Sequence, residues 1–208
     1  MPEAILQARE PAPRVGPNAV IQLAGALRDS LGAQAARELF GNAGLQRFLI
    51  EPPGEMVDEV LAARLFGCVF ADLPAVTAAA VAAEAGTRTA DYILANRIPT
   101  PAQSVLRALP PALAGPLLLA AIAKNAWTFA GSGTLRTDNA RGRSGSGKSG
   151  PLWVIEITDN PLAMPGCAWH SAVFRRLFEV LVDPAVAVCH PACCHAGAEA
   201  CRFEIARR

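Results

Sequence analysis

The sequence predicts an α+β domain in which an N-terminal helical layer packs on a small antiparallel sheet with one C-terminal helix. Apolar residues recur at helical spacing up to about residue 125, and short β-prone runs separated by turns follow. A Cys/His-rich turn near the end of the chain predicts that a metal ion staples the C-terminal hairpin. The 208 residues are enough for one compact domain with its own core.

The mainly helical part is predicted over residues 18–125, after a leader. Residues 1–17 are rich in proline and lack apolar periodicity, so we expect a flexible leader there. Periodicity begins at Asn18, breaks at Gly32 and resumes as far as Gly41, a residue type that commonly ends helices.

Three further helical segments are predicted before the chain changes character. Glu55–Phe70 is amphipathic, with an apolar side that includes Val60. Residues 72–96 are rich in alanine, which predicts close approach to a neighbouring helix, with an interruption near Gly86. The most apolar run, residues 109–123, is too short and too proline-rich to span a membrane, so it predicts a buried core helix.

Residues 126–208 are predicted to form an α+β part that holds the metal site. The Gly-rich segment 131–150 predicts the long mobile tip of a hairpin. The predicted strands are Trp127–Phe129, Leu152–Ile157, Ala185–Val188 and Arg202–Ile205, and the predicted helix is Ala168–Val182.

The segment Gly142–Ser149 matches the phosphate-binding pattern GxxxxGK[ST], but its context argues against nucleotide binding. A phosphate loop needs a buried strand before it and a helix after it. Here Asp138 and Asn139 precede the match and Pro151 follows it, so no helix can begin at Ser149. The segment therefore predicts a solvated Gly/Ser loop.

Composition excludes several classes of protein. The 19 Lys and Arg residues balance 18 Asp and Glu residues, so no basic excess predicts nucleic-acid binding. The sequence shows neither a secretory signal nor a transmembrane segment. We therefore expect a cytoplasmic protein whose cysteines stay reduced.

Cysteine and histidine are concentrated near the C-terminal end. Five of the six cysteines and all three histidines follow residue 166. One or two such cysteines would fit small buried hydrophobes, but the whole cluster predicts a metal site. Zinc takes four Cys and His ligands in a tetrahedral array, and a closed site between a helix and a hairpin would be structural. The candidate ligands are Cys167, His170, Cys189, His190, Cys193, Cys194, His195 and Cys201.

The same region resembles a known domain family. The resemblance to the 4-vinyl reductase domain family rests on Asn160–Ala163, on Cys167, and on the run from Cys193 through Gly197 to Cys201–Ile205. That family shares its fold with small ligand-binding subunits of vesicle-transport tethering complexes, and some of its members bind zinc.

The resemblance implies which candidates bind the metal. The zinc-binding members carry a Cys, an acidic residue and two further Cys, and the intervals of 23, 3 and 8 residues recur in this chain. Zinc accepts an imidazole as readily as a carboxylate, so His190 can replace the acidic ligand, although Cys189 and Cys194 remain alternatives for that position. The implied structural zinc ligands are Cys167, His190, Cys193 and Cys201.

A longer resemblance links the chain to a family of bacteriochlorophyll biosynthesis proteins from phototrophic bacteria. It covers about residues 18–206 and is carried by Thr89–Pro99, Ala126–Gly133 and Cys167–His170. It implies an accessory protein that binds or carries a Mg-tetrapyrrole of the Mg-protoporphyrin or divinyl protochlorophyllide type. It further implies a homodimer, Mg-chelatase or methyltransferase as protein partners, and a place at the periphery of the photosynthetic membrane.

Two other functions stay open. The family name implies a divinyl (8-vinyl) tetrapyrrole reductase that uses an external electron donor, and a third possibility is a sensor or scaffold for another small hydrophobic molecule. Reduction needs a hydride donor or a redox centre, whereas the sequence has no GxGxxG after a strand and zinc has no redox chemistry. We therefore favour a non-enzymatic role and assign no catalytic residue.

Five side chains are candidates for tetrapyrrole binding. His170 could bind magnesium axially, support the metal site from outside, or lie at the surface. Trp127 and Trp169 could stack on the macrocycle or belong to the core. Tyr92 and Arg97 could meet its propionate or carbonyl groups, and Arg97 could equally be a surface charge or a helix cap.

Overall fold

Eight helices and six strands make up the described part of the protein, which is residues 13–143 and 149–208 of a computed structural model. Helices come first and the larger sheet comes last, so the predicted α+β class is confirmed. The helices are α1 (Asn18–Asn42), α2 (Arg47–Ile50), α3 (Glu59–Asp72), α4 (Ala75–Asn96), α5 (Thr100–Ala108), α6 (Pro111–Lys124), α7 (Trp127–Ala130) and α8 (Ala168–Leu181). The strands are β1 (Arg14–Val15), β2 (Val57–Asp58), β3 (Thr134–Arg143), β4 (Ser149–Thr158), β5 (Val186–Ala192) and β6 (Ala200–Arg207).

The larger sheet is antiparallel, with the strand order β3-β4-β6-β5. Ile155 lies opposite Phe203 and Ile157 opposite Cys201, so these four side chains share one face. That face is buried, and α8 packs into the same core with Phe174. The core between α8 and the sheet therefore also contains the first of the predicted metal ligands.

A second, two-stranded sheet pairs Arg14–Val15 with Val57–Asp58. The Val15 side chain is buried in the core, so the chain already belongs to the fold before α1 begins at Asn18. The greater part of the predicted flexible leader, residues 1–12, lies outside the described residues.

Helix α3 starts four residues later than the predicted start at Glu55. The Asp58 carboxylate accepts a hydrogen bond of 2.8 Å from the N–H of Val60, and this N-cap sets the start at Glu59. Val60 is exposed, so its predicted place on the apolar side is wrong. Glu59 is buried instead, because its carboxylate accepts hydrogen bonds from the N–H and hydroxyl of Ser132.

Helix α4 runs without a break through Gly86, so the predicted interruption is wrong. One glycine costs a helix only about 1 kcal/mol, which packing can outweigh. A side-chain carbon on Gly86 would collide with the carbonyl of Trp169 and the side chain of Ala172, both on α8. The predicted close approach of the Ala-rich segment to a neighbouring helix is therefore confirmed, and that neighbour is α8.

The segment Trp127–Phe129 forms most of the helical turn α7, so its predicted strand is wrong. The N–H groups of Phe129 and Ala130 both bond to the carbonyl of Ala126, at 2.9 and 2.8 Å. Three residues are too few to show a period, and the neighbouring alanines favour a helix. Gly131, with a φ of 54°, ends the turn before β3.

Strands β3 and β4 form the predicted hairpin, but they are longer than predicted. Their pairing extends to Arg143 and Ser149, so much of the Gly-rich segment 131–150 is strand. The central part of the tip that is predicted to be mobile, residues 144–148, lies outside the described residues. Ser149 begins a strand and not a helix, as the context of the phosphate-loop match predicts.

Helix α6 was expected to be a buried core helix, which is correct for one face only. Leu118, Leu119 and Ile122 are buried, whereas Leu113 and Leu117 on the other face are exposed. A helix that is apolar all round does not reveal from sequence which side meets the core. In residues 13–143 and 149–208, no helix combines the length and the apolar character needed to cross a membrane.

Candidate metal centre and ligand cavity

The turn before α8 brings one thiol into the core. A 3-10 turn, Pro165–Cys167, precedes the helix, and both Gly166 and Cys167 have a positive φ, of 71° and 43°. Left-handed backbone is uncommon for a residue with a side chain and persists where the surroundings hold it. The turn places the buried Cys167 sulfur beside the sulfurs of the C-terminal hairpin.

The β5–β6 hairpin supplies three further candidates. His190 and Pro191 together lie opposite Phe203 alone, which is a β-bulge. The His190 ring stacks on Phe203, with the ring centroids 4.7 Å apart. Cys193 follows β5, and Cys201 lies near the start of β6, so the hairpin presents all three to α8.

Four ligand atoms converge at this point. The three cysteine sulfurs and the His190 nitrogen all lie within 4.8 Å of one another. The Cys167 sulfur is 3.5 Å from that of Cys193 and 3.6 Å from that of Cys201, and all three cysteines are buried. Nε2 of His190 is buried without a hydrogen-bond partner among the described residues, as expected of a nitrogen that binds a metal.

The electrostatics of the cluster favour a bound cation. A hydrogen bond from Cys167 lowers the pKa of Cys201 to about 3 against the effect of burial, and hydrogen bonds from His190 and the N–H of Cys194 lower it further. The same thiol hydrogen bond, with burial, raises the pKa of Cys167. A cation can replace the protons that these sulfurs otherwise share. Three sulfurs and one nitrogen fit the tetrahedral coordination of zinc.

The other Cys and His candidates of the C-terminal region lie outside the cluster. Cys189 and His195 are exposed, and the Cys194 sulfur lies 3.6 Å from the carbonyl oxygen of Ile157. The structure therefore brings together the four residues that the family intervals imply. It places His190, and neither cysteine alternative, in the fourth position.

His170 is fully buried, so its surface interpretation is wrong. Its Nε2 lies 3.0 Å from the carbonyl oxygen of Phe129. Because a carbonyl only accepts, Nε2 carries the hydrogen and Nδ1 holds the lone pair. Burial lowers the pKa of His170 to about 4, so the ring is neutral near pH 7. His170 also contacts Phe203, whose ring stacks on His190, and so adjoins the metal cluster.

Phe129 also lines a cavity of about 340 Å³. The start of α1, the end of α4, and helices α6, α7 and α8 contribute its walls. Most lining side chains are apolar, and the polar ones include Asn18, Arg97 and Asn125. A concave apolar site with a few polar groups is the usual form of a small-molecule site.

Two of the five candidate tetrapyrrole-binding residues line this cavity. Arg97 and Trp127 are both part of the wall, and Trp127 is 45% exposed, which places it at the mouth. Tyr92 lies beside Arg97, whose guanidinium carbon is 6.0 Å from the centre of the tyrosine ring. Trp169 and His170 are buried in the core between α8 and its neighbours.

Sequence reasoning missed the apolar walls of the cavity. Leu118 and Ile122 on α6 and Leu177 on α8 face the space. In sequence each looks like an ordinary core residue, because a leucine that borders a gap and one that fills the core have the same spacing. Only the Trp-Thr-Phe segment gave a signal, through its unusual motif.

Comparisons with known proteins agree with this arrangement of residues. The 4-vinyl reductase domain family matches residues 153–207. The bacteriochlorophyll synthase 23 kDa chain of Cereibacter sphaeroides is 44% identical over 194 residues, which cover 93% of this chain and 91% of that protein. The protein of the same name in Rhodobacter capsulatus is 38% identical over 197 residues, covering 92% of this chain and 86% of that protein.

A solved structure overlaps more loosely. The crystal structure of an H-NOX protein from S. oneidensis in the Fe(II)NO ligation state covers 90% of this chain and 98% of its own. The sequence identity is 12% and the TM-score is 0.45, which is too low to assign a shared fold.

Proposed function

This chain belongs to the family of the bacteriochlorophyll synthase 23 kDa chain, the J proteins of bacteriochlorophyll biosynthesis, and from that premise we propose that it binds and carries a Mg-tetrapyrrole. An accessory role in bacteriochlorophyll biosynthesis follows from the family itself. The finer proposal is the ligand, a molecule of the Mg-protoporphyrin or divinyl protochlorophyllide type, which the protein holds without converting it.

The cavity between the helices is the observation that carries this proposal. Its walls are apolar, as a macrocycle requires, and Arg97 supplies a fixed positive charge that would pair with a propionate carboxylate. Trp127 at the mouth offers an exposed ring on which a flat conjugated ligand can stack. Tyr92 supports this edge because its ring lies beside the Arg97 guanidinium.

The size of the cavity limits how such a ligand would sit. Sites for drug-sized ligands measure about 300–1,000 Å³, and 340 Å³ lies at the small end of that range. We expect one edge of the macrocycle to enter and the remainder to stay at the mouth against Trp127. His170 is buried outside the wall, so an axial bond from its ring to magnesium would require rearrangement, and we do not assign it that role.

We assign the metal cluster a structural zinc ion, held by Cys167, His190, Cys193 and Cys201. Four protein ligands complete a tetrahedral site and leave no position for a substrate or a reactive water. Trp169 belongs to the core that holds α8 against Phe66, at a centroid distance of 6.1 Å. The centre would thus fix α8 to the hairpin, and its chemistry supports binding rather than catalysis.

The proposal extends to partners and location. A carrier of Mg-tetrapyrroles would receive its ligand from the Mg-chelatase step or pass it to the methyltransferase step of the same pathway. We propose a homodimer that works in the cytoplasm at the periphery of the photosynthetic membrane. Neither a nucleic acid nor an integral membrane anchor is part of this proposal.

Visible-absorption titration with Mg-protoporphyrin tests the carrier function. We expect a spectral shift that saturates at ligand concentrations on the order of micromolar. An unchanged spectrum at that concentration would exclude the carrier and leave a sensor or scaffold for another small hydrophobic molecule. Anaerobic incubation of a divinyl substrate with NADPH or reduced ferredoxin tests the reductase alternative. Product formed by the pure protein in proportion to its concentration would make it an enzyme.

A further inference from the structure

Helix α6 presents an apolar face to the outside of the protein. Leu113, Leu117 and Ala121 follow one another at four-residue spacing along this face, where Leu113 is 57% and Leu117 is 53% exposed. The sequence holds no charged residue from Leu109 through Ala123. Exposed leucines on an uncharged helix face mark a surface that contacts something apolar.

The apolar face leads to the mouth of the cavity. Ala121, the last of the three residues in the row, also lines the cavity, and so do Asn125 and Trp127, which come next in the chain. Trp127 is partly exposed at this edge. Tryptophan is enriched where an apolar environment meets water, since its ring is apolar and its N–H is polar.

The charges of this region have one sign. Between Asp91 and Asp138 the sequence contains no acidic residue, but it contains Arg97, Arg107 and Lys124, together with Arg136 on β3. Arg97, Arg107 and Lys124 are exposed, at the ends of α4, α5 and α6. An apolar helix face with basic residues at its borders matches an anionic lipid surface in both respects.

We propose that α6 docks on an anionic lipid surface, with Leu113 and Leu117 in the headgroup–acyl boundary and Trp127 at its edge. The mouth of the cavity would then face the bilayer. A hydrophobic ligand could pass between membrane and cavity without crossing water; this last step rests on the proposed carrier function, whereas the docking itself does not.

A lipid surface fits these observations better than a second copy of the chain. In a two-fold symmetric contact the same patch meets itself, so Arg97, Arg107 and Lys124 would come close to their own copies. Like charges brought together in this way oppose association. A homodimer would therefore use another face of the protein.

Vesicle co-sedimentation of the full chain tests the docking surface. Wild-type protein should bind vesicles of phosphatidylglycerol and phosphatidylcholine, and bind pure phosphatidylcholine vesicles at least several-fold more weakly. The double variant Leu113→Ser/Leu117→Ser should lower the partition coefficient about tenfold or more, since two exposed leucines lose their burial in lipid. Lys124→Glu should weaken binding to the anionic vesicles only.

A matched control separates this surface from general stickiness. Val60→Ser/Val76→Ser removes two apolar side chains that are 58% and 84% exposed on α3 and α4. It should leave vesicle binding unchanged. Fluorescence gives an independent readout, because Trp127 is exposed whereas Trp153 and Trp169 are buried. Trp127 emission should shift to the blue on vesicle binding, and the shift should disappear in Trp127→Phe.

The outcomes decide between the alternatives. Absence of vesicle binding, or an equal loss in the Val60→Ser/Val76→Ser control, overturns the proposal. A wild-type dimer in solution that Leu113→Ser/Leu117→Ser breaks, without vesicle binding, assigns the face to a second copy. Neither leucine lines the cavity, so this variant should still bind Mg-protoporphyrin in solution like wild type. Titration and sedimentation can therefore fail independently, which keeps the carrier proposal and the docking proposal distinguishable.

Discussion

The metal centre and the cavity are built in opposite ways, although α8 belongs to both. The metal centre draws four ligands from residues 167–201, and its three cysteines are buried. The cavity takes its walls from five helices that extend from Asn18 at the start of α1 to Leu177 on α8, and its mouth is open at Trp127. The first region is local and closed, and the second is assembled and open.

This difference indicates that one region supports the other. Helix α8 is tied to the hairpin at Cys167, and it also lines the cavity with Leu177. Between these points His170 donates a hydrogen bond to the carbonyl of Phe129, which is part of the cavity wall. A metal that fixes α8 therefore also fixes one wall of the cavity, and changes at the centre should reach the ligand site.

Loss of the metal should have the largest effect. Cys193→Ser and Cys201→Ser should each prevent stable folding of the C-terminal hairpin, since structural zinc contributes on the order of 10 kcal/mol in small zinc domains. Metal analysis should find about one zinc per wild-type chain, the stoichiometry of a single four-ligand site. Cys189→Ser serves as the matched control, because that cysteine is exposed and outside the cluster. A metal-free protein with an unchanged melting curve would contradict the structural role.

A methyl group at the α4–α8 contact should have the next largest effect. Gly86→Ala should lower the free energy of unfolding by about 3 kcal/mol, because the added carbon meets the Trp169 backbone, which cannot move away as a flexible side chain would. Gly67→Ala on α3 is the control, since the added carbon has open space there and should raise stability by up to about 1 kcal/mol. Urea unfolding of the two variants measures this contrast. Equal effects would mean that the two helices are not in close contact.

The buried histidine that joins the two regions should make stability depend on pH. Its pKa is about 4 in the folded protein and 6.5 in the reference state, so above pH 6.5 it is neutral both folded and unfolded. Below pH 6.5 only the unfolded chain takes up the proton, and the free energy of unfolding falls by up to roughly 3 kcal/mol as pH approaches 4.

A variant isolates this contribution from that of the metal ligands. His170→Gln keeps a donor for the Phe129 carbonyl but cannot titrate, so its stability should fall less steeply between pH 6.5 and 4 than that of wild type. Both proteins keep the same metal ligands, whose protonation cancels in the comparison. Parallel pH profiles from denaturant unfolding would show that His170 is not the group responsible.

Changes at the mouth of the cavity should have the smallest effect and should leave the metal centre intact. Arg97→Ala and Trp127→Ala should each weaken Mg-protoporphyrin binding about five- to tenfold, the usual range for one charged or stacking contact. Arg37→Ala, an exposed arginine on α1, is the control and should bind like wild type. Zinc content and melting temperature should match wild type in all three. Unaltered affinity in both mouth variants would place the ligand elsewhere.

The sequence predicted best where a pattern repeats locally. The α8 stripe of Val173, Phe174 and Leu177 is buried as its spacing predicts. It predicted poorly where a segment is short or uniformly apolar. Trp127–Phe129 is too short to show a period and forms a helical turn, and the apolar run of α6 hides an exposed face that begins at Leu113.

By itself the sequence determined the α+β class and the four residues of the metal cluster. Both follow from spacing along the chain, since one helix start and one hairpin suffice to bring Cys167, His190, Cys193 and Cys201 together. Only the tertiary structure decided that His170 is buried, that the cavity opens beside Trp127, and that α6 turns leucines outward. These features depend on which face of each helix meets which neighbour, and helices far apart in sequence settle that only when they pack.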